Sequence, residues 1–476
     1  MSAGIPNIGS EVIPKDLRDL LCQYNSNIFL VGGSVRDIFL NRKSHDYDFV
    51  FEGDFKNYAR KIANKLDGHF FILDKVRKTY RIIYYNNDMQ RKILDFAELK
   101  NGDINTDLKL RDFSINAIAI NVKNLKEHYD PLDGIKDIKE KNIRACSSDA
   151  FIDDPIRILR AVRLAYSLNF KIQNDTIKWL REAISFLKNI SFERIRDELF
   201  LMLDSDSVHS MLLSLSHLGV LDFIFVNLIY NEQQYLDSDR NLNVLFNTIR
   251  RYMDLHHLLI NRDRSHQAEN LLTGITIAEI GKYRRHLREH YKEKVSIDRS
   301  LKSIDIFSII YYFYNNRLYN PDNIFFFKLS KKENDFIKQI ISHEQIVYDW
   351  LVYGKIPENI DVYRYFKRSG NYGIDACILS MARVLAGYEY DLTPENWKTS
   401  LAISRKIFEA WFEKKDILVD PPKFLNGNDI INVMNLKSGI KVGRILDKIS
   451  EAQVLGIIKS KDDAVQYALR VFNELE

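Results

Sequence analysis

Residues 29–54, FLVGGSVRDIFLNRKSHDYDFVFEGD, constrain the fold more than any other stretch. An apolar run ends at Gly32 and Gly33, a short helical stretch follows from Ser34, and a second β-rich run carries Asp46 and Asp48. Side chains alternate across a strand, so residues two apart share a face and both carboxylates project the same way. Clustered hard oxygen donors suit divalent cations, and two Mg²⁺ ions about 4 Å apart can activate an attacking hydroxyl while neutralising a departing pyrophosphate. Glycines just upstream let backbone N–H groups approach phosphate oxygens, and Arg36 adds positive charge beside them. A lone Asp-x-Asp would more often be a solvated strand end. The glycine turn in front of it makes a nucleotide site the stronger reading.

The chain around this segment is too long for one core: its 476 residues exceed the roughly 250–300 at which a single hydrophobic core stops growing. To about residue 140, β-rich runs such as YRIIYY, RKILDF and INAIAINV mix with helical stretches such as FKNYARKIANKL. From Asp153 onward apolar residues recur at three and four, the helical spacing. The expected fold class is therefore α+β, a small mixed-sheet head followed by a long, mainly helical remainder. We divide it into a catalytic head (1–140), a helical neck (141–265), a helical body (266–415) and an RNA-binding tail (416–476). Breaks are expected near NRDRSHQAEN, residues 261–270, and near ILVDPPKFLNGND, residues 417–429. A net charge of +4 permits nucleic-acid binding without demanding it. Cys22, Cys146 and Cys377 are too scattered for a disulfide framework or zinc knuckle. The opening residues lack a signal pattern and no apolar run reaches roughly 18 residues, so the expected location is cytoplasmic.

GGSVRD followed by DYD resembles the signature of the nucleotidyltransferase head in class II CCA-adding enzymes and bacterial poly(A) polymerases. The likeness is specific over the first 200 residues and looser over the last 60 or so. It implies that Asp46 and Asp48 are catalytic, metal-binding aspartates and that Gly32, Gly33 and Arg36 meet the nucleotide triphosphate. A third carboxylate usually comes from a neighbouring strand in that superfamily. Asp95 of KILDFAEL is the matching residue, catalytic and metal-binding in turn. LRDFSINAIAI resembles the second motif, whose Arg-Arg-Asp run positions the nucleotide. Arg111 and Asp112 match it, but Leu110 stands where the first arginine belongs. A carboxylate such as Asp112 can accept from a ribose 2′-OH and so favour ribonucleotides.

FIDDPIRILRAVR resembles the family's base-selecting motif, with Asp153 where a glutamate is common. Asp154 before Pro155 reads as a helix N-cap, which puts Arg157 one turn along and near the same face. An Asp acceptor beside an Arg donor matches the Watson–Crick edges of cytosine and adenine, whereas uracil and guanine would leave buried groups unpaired. Arg160 and Arg163 continue the spacing as a basic stripe for the nucleotide or incoming RNA. DPLDGIKDIKEKNIR resembles a hinge-like linker, with Asp130, Asp133 and Gly134 in matching places, and ISFERIRDEL, with Glu193 and Arg194, a brace for the base-selecting helix.

Two departures stand out. Many long relatives carry a phosphohydrolase module marked by a His-Asp doublet. The counterpart here, DIFSIIYYFYNN, has none, His256 and His257 read as surface or packing residues, and no phosphohydrolase activity is expected. The segment from Asp95 to Arg111 is also short, where full CCA-adding relatives carry a longer mobile loop that remodels the pocket for ATP. The resemblance thus implies transfer of CMP from CTP, with or without AMP from ATP, to the 3′ end of tRNA with Mg²⁺ as cofactor, and the short segment points to a CC-adding member. A poly(A) polymerase is the runner-up, and a non-catalytic RNA-binding relative is the alternative from another class. An intact carboxylate set argues against the latter, because a scaffold gains nothing from charges that repel RNA.

Overall fold

The computed structural model describes residues 13–42, 46–86, 88–228, 239–260, 271–318, 327–387, 392–437 and 439–474. The chain divides into two compact units, residues 1–199 with 210–228, and residues 200–209 with 229–476.

The first unit is built on a seven-stranded sheet of β1 (Ile28–Val31), β2 (Asp46–Phe51), β3 (His69–Asp74), β4 (Thr79–Tyr85), β5 (Arg91–Glu98), β6 (Ala119–Asn121) and β7 (His128–Tyr129). Its order is β3-β4-β5-β2-β1-β6-β7, and only β2 and β5 run parallel. Tyr47, Phe49 and Phe51 of β2 turn to one face, where Phe49 stacks on Phe96 with ring centroids 5.1 Å apart and Phe51 lies against Phe55 at 4.7 Å. Each such buried ring contributes about 1.5–3 kcal/mol, so a register slip that exposed this row would be strongly disfavoured. Strand alternation then forces Asp46 and Asp48 to the opposite face. At one end of that face Val31 and Val50 pack with Ile104 and Leu108 in a second cluster.

Helices α1 (Lys15–Cys22), α2 (Gly33–Phe39), α3 (Lys56–Lys65), α4 (Ile104–Lys109) and α5 (Gly134–Glu140) complete the head. Beyond it come α6 (Ala150–Asp153), α7 (Arg157–Leu168), α8 (Asn174–Glu182) and α9 (Phe192–Leu203). The α7 sequence RILRAVRLAYSL buries Ile158, Leu159, Ala161, Val162, Leu164, Ala165 and Leu168, a stripe with helical period.

Among its described residues the second unit is helical apart from a short hairpin at Lys294–Ser296 and Arg299–Ser300. Its longest helix, Lys331–Tyr353, starts at a capping box in which Ser330 and Glu333 satisfy each other's backbone N–H groups. Residues 425–471 gather their own core around Ile430, Ile445, Ile449, Ala464 and Ala468. The α+β class with a mixed-sheet head and mainly helical remainder is thus what the chain adopts. The first expected break, residues 261–270, lies outside the described residues; the second coincides with the irregular stretch between Leu418 and Gly427. His256 proves to be a packing residue, its ring edge-on to Tyr291 with centroids 5.1 Å apart, and burial pushes it down to about 3. A His–Asp pair absent as a doublet exists in space: His290 Nε2 lies 3.0 Å from both carboxylate oxygens of buried Asp375. Among the described residues no single helix is long and apolar enough to cross a membrane.

Candidate active site

β2 places Asp46 and Asp48 on the open face, and its parallel register with β5 sets Asp48 directly beside Asp95. Asp48 keeps an outer surface in solvent, yet the protein crowding its carboxyl and the neighbouring Asp95 push it up to about 6, against the pull of Arg111, with smaller effects from Asp46 and Arg160. Like charges gathered this closely favour a proton or a cation between them. Asp46 and Asp48 are adjacent hard oxygen donors, so the donor set suits Mg²⁺. Asp95 is engaged elsewhere: Arg81 Nε and Nη2 donate to its two oxygens, each at 2.8 Å. Among the described residues no three His, Cys, Asp or Glu side chains are gathered as ligands for a metal ion.

The glycine turn closes over the same aspartate. Gly32 has φ +75°, and a Cβ there would stand 3.3 Å from Asp48 Oδ2 and 3.5 Å from Arg111 Nη1. Conformation and space both call for glycine, and Gly32, Asp48 and Arg111 converge on one point. Ser34, buried at the start of α2, ties the turn to β2 by accepting from the Asp48 N–H at 3.5 Å. At Gly33 a Cβ would lie 3.3 Å from Arg36 Nη2. Arg36 is spoken for on both edges, donating to Asp37 Oδ1 at 2.9 and 2.8 Å and to Asn116 Oδ1 at 2.8 Å. Arg111 is held by Asp107 Oδ2 at 3.0 Å.

Asp112 is buried. Its Oδ1 accepts from the Phe113 N–H at 2.8 Å and Asn116 Nδ2 at 3.1 Å, and Arg160 Nη2 lies 2.8 Å from Oδ2. Burial alone would raise Asp112, but Arg160 and these two hydrogen bonds outweigh it and hold the carboxyl below its ordinary range. Asn116, which sequence reading passed over, therefore links Arg36 on α2 to Asp112 and through it to α7.

The base-selecting segment differs locally from the sequence expectation. Asp154 does not cap a helix with its side chain: it follows α6 in extended conformation, and α7 begins at Arg157 after Ile156. The Arg157 N–H donates to the Asp154 carbonyl at 3.1 Å, but the two side chains take different partners. Asp154 Oδ2 accepts from Arg194 Nη2 at 2.8 Å, while its buried Oδ1 has no hydrogen-bond partner. Arg157 donates to the Ala150 carbonyl at 3.1 Å and to the Leu110 carbonyl at 3.0 Å. Leu110, which interrupts the Arg-Arg-Asp pattern, thus still meets Arg157 through its backbone. Arg163 pairs with Glu198. Arg157, Arg160 and Arg163, spaced at three, thus each have a protein partner of their own.

Residues 28–144 match the Poly A polymerase head domain, and residues 169–230 match the family described as probable RNA and SrmB-binding site of polymerase A. A CC-adding tRNA nucleotidyltransferase of Geobacter sulfurreducens is 28% identical over 96% of this chain and 95% of its own length. The chain is thus similar over nearly its whole length to tRNA nucleotidyltransferases, and its first portion matches the Poly A polymerase head domain. An A-adding tRNA nucleotidyltransferase of Deinococcus radiodurans is 26% identical, covering 93% of the chain and 94% of its own. A Thermotoga maritima CCA-adding enzyme solved in complex with tRNA shares the fold, with a TM-score of 0.61, 22% identity and 97% of both chains covered. Relatives named for different products thus match this chain at 28% and 26% identity over nearly their full lengths, so product choice has to be argued from local features.

Proposed function

We propose that the chain transfers CMP from CTP to the 3′ end of tRNA in CCA-end synthesis or repair, and that it stops after the two cytidines. The observation that carries nucleotidyl transfer is the convergence of Asp48, Gly32 and Arg111 on the open face of β2, beside Asp46. Asp46 and Asp48 would hold Mg²⁺, which supplies charge neutralisation and hydroxyl activation when bound. Gly32 and Gly33 leave room for phosphate oxygens at the turn, and Arg111, fixed by Asp107, sets positive charge beside them. Asp112 acts on the nucleotide through Arg160, whose guanidinium it positions. The named comparisons with tRNA nucleotidyltransferases support the substrate, and the cytoplasm is where such a substrate is met.

Base choice falls to Asp154 and Arg157. Arg194 holds Asp154 by one oxygen, leaving the other as an acceptor for an exocyclic amino group. Asp154→Ala is expected to reduce the preference for CTP over UTP roughly 5- to 150-fold, equivalent to about 1–3 kcal/mol for one lost partner. The ratio of kcat/KM values for the two nucleotides reads this directly, and unchanged selectivity would take Asp154 out of base choice.

The stop after two cytidines is supported by the segment between Asp95 and Arg111. Asp103 caps α4 by accepting from the Thr106 N–H at 2.8 Å, and Ile104 and Leu108 are packed into the core. A capped, anchored helix of this kind has little freedom to reshape a pocket for a second nucleotide. With CTP and ATP supplied together, a tRNA lacking its 3′ end is expected to yield products ending in CC. Efficient terminal adenosine addition would overturn the CC-adding reading, and long adenosine tails from ATP alone would favour a poly(A) polymerase.

A further inference from the structure

The hairpin of β4 and β5 pairs Arg81 with Asp95, and the β2–β5 register pairs Asp95 with Asp48. Directly opposed residues share a face, and neighbouring strands lie about 4.8 Å apart, so one row across the sheet reads arginine, aspartate, aspartate. Arg81 grips Asp95 in fork-to-fork geometry, with both N···O distances 2.8 Å. Each oxygen of Asp95 then already accepts a charge-assisted hydrogen bond from the guanidinium, which competes with a cation for the same carboxylate. The clamp is not sealed in, because the Arg81 and Asp95 side chains are 37% and 27% exposed. A half-exposed ion pair is weak enough to be exchanged, and a long arginine can swing its head into water.

We propose that Arg81 is a positioning residue that competes with a divalent cation for Asp95, so the third carboxylate joins the site by exchange instead of standing preformed. This rests on the nucleotidyl-transfer reading of Asp46 and Asp48. A divalent cation held by Asp95 would take the place of the guanidinium on that carboxylate. Unloading lets Arg81 return and neutralise a carboxylate that would otherwise repel its neighbour.

Mn²⁺ binding to the full chain, titrated by electron paramagnetic resonance without nucleotide, tests the exchange in four proteins: parent, Arg81→Gln, Asp95→Asn and the double variant. Arg81→Gln is expected to tighten Mn²⁺ binding on the order of tenfold, the scale on which residues behind metal ligands act. In the Asp95→Asn background the same substitution is expected to change affinity less than about twofold, because the double-mutant cycle isolates the pairwise effect. Arg81→Lys, which keeps the charge and loses the fork, is expected to fall between parent and Arg81→Gln. Equal affinity in parent and Arg81→Gln would overturn the proposal. So would an undiminished gain in the Asp95→Asn background, since that is what a general loss of positive charge produces. Mn²⁺ binding that survives in Asp46→Ala/Asp48→Ala would instead overturn the underlying site, an outcome separate from the Arg81 result.

Discussion

Replacing Asp46 and Asp48 together by alanine is expected to lower nucleotide incorporation by at least about a thousandfold while leaving tRNA affinity within a fewfold of the parent. The expectation follows from the division of labour along β2. Tyr47, Phe49 and Phe51 fill the buried face, whereas Asp46 and Asp48 occupy the open one, so alanine at the latter positions removes donors without opening a cavity. Asp48 is crowded by Asp95 and Asp46, and removing like charges from that group relieves repulsion. The double variant is therefore expected to melt at or above the parent temperature, which separates loss of chemistry from loss of fold. Incorporation with labelled CTP and tRNA binding by filter retention are the two measurements. Retained turnover would contradict the assignment, and lost tRNA binding would mean that the carboxylates serve the acceptor instead of the reaction.

What the sequence made legible was whatever depends on neighbours in the chain. The period-two alternation of DYDFVF placed both aspartates on one face, and the glycines before Ser34 announced a turn with unusual backbone demands, which Gly32 bears out with its positive φ. Less legible were partners fixed by tertiary register. Asp154 was expected to work with Arg157 three residues on; it meets Arg194, forty residues away, which the resemblance had offered only as a brace for the base-selecting helix. Asp112 looked like an open acceptor, yet Asn116 and Arg160 enclose it. One missed contact was within reach. A hairpin whose strands pair Tyr85 with Arg91 must also pair Arg81 with Asp95, because the two residue numbers keep a constant sum in an antiparallel register. Recognising that the strands ending at Tyr85 and starting at Arg91 form a hairpin would have put an arginine opposite the third carboxylate. The His290–Asp375 pair offered no such route, since no local pattern connects residues 85 apart.

Gly134 to alanine is expected to be the most damaging single methyl in the first unit. The surrounding DPLDGIKD stretch suggested a hinge, but the structure packs it closely. Asp130 accepts from the N–H groups of Gly134 at 2.6 Å and Ile135 at 2.9 Å, fixing the entry to α5. A Cβ on Gly134 would fall 2.1 Å from the Ser114 carbonyl oxygen and 3.0 Å from Ile118 Cγ1. A flexible side chain could move aside, but this obstacle is backbone. Ser114 is itself held by its N–H to the Arg144 carbonyl at 2.9 Å and by its hydroxyl to Asp137, so it cannot retreat alone. Overpacking typically costs 1–3 kcal/mol, and a backbone clash of this depth belongs at or above the upper end, about 3 kcal/mol. For a unit of this size that corresponds to a fall of roughly 6–12 °C in its melting transition. The damage should also reach the site. Ser114 begins the 3₁₀ turn that ends at Asn116, and Asn116 bonds both Arg36 and Asp112. Pushing α5 off this turn shifts the link between the glycine turn and α7, so the KM for CTP is expected to rise at temperatures where the variant is still folded. Calorimetry together with steady-state kinetics at a low temperature reads both effects. A variant with parental melting and KM would show that α5 can yield at Gly134, which would restore the hinge reading for this segment.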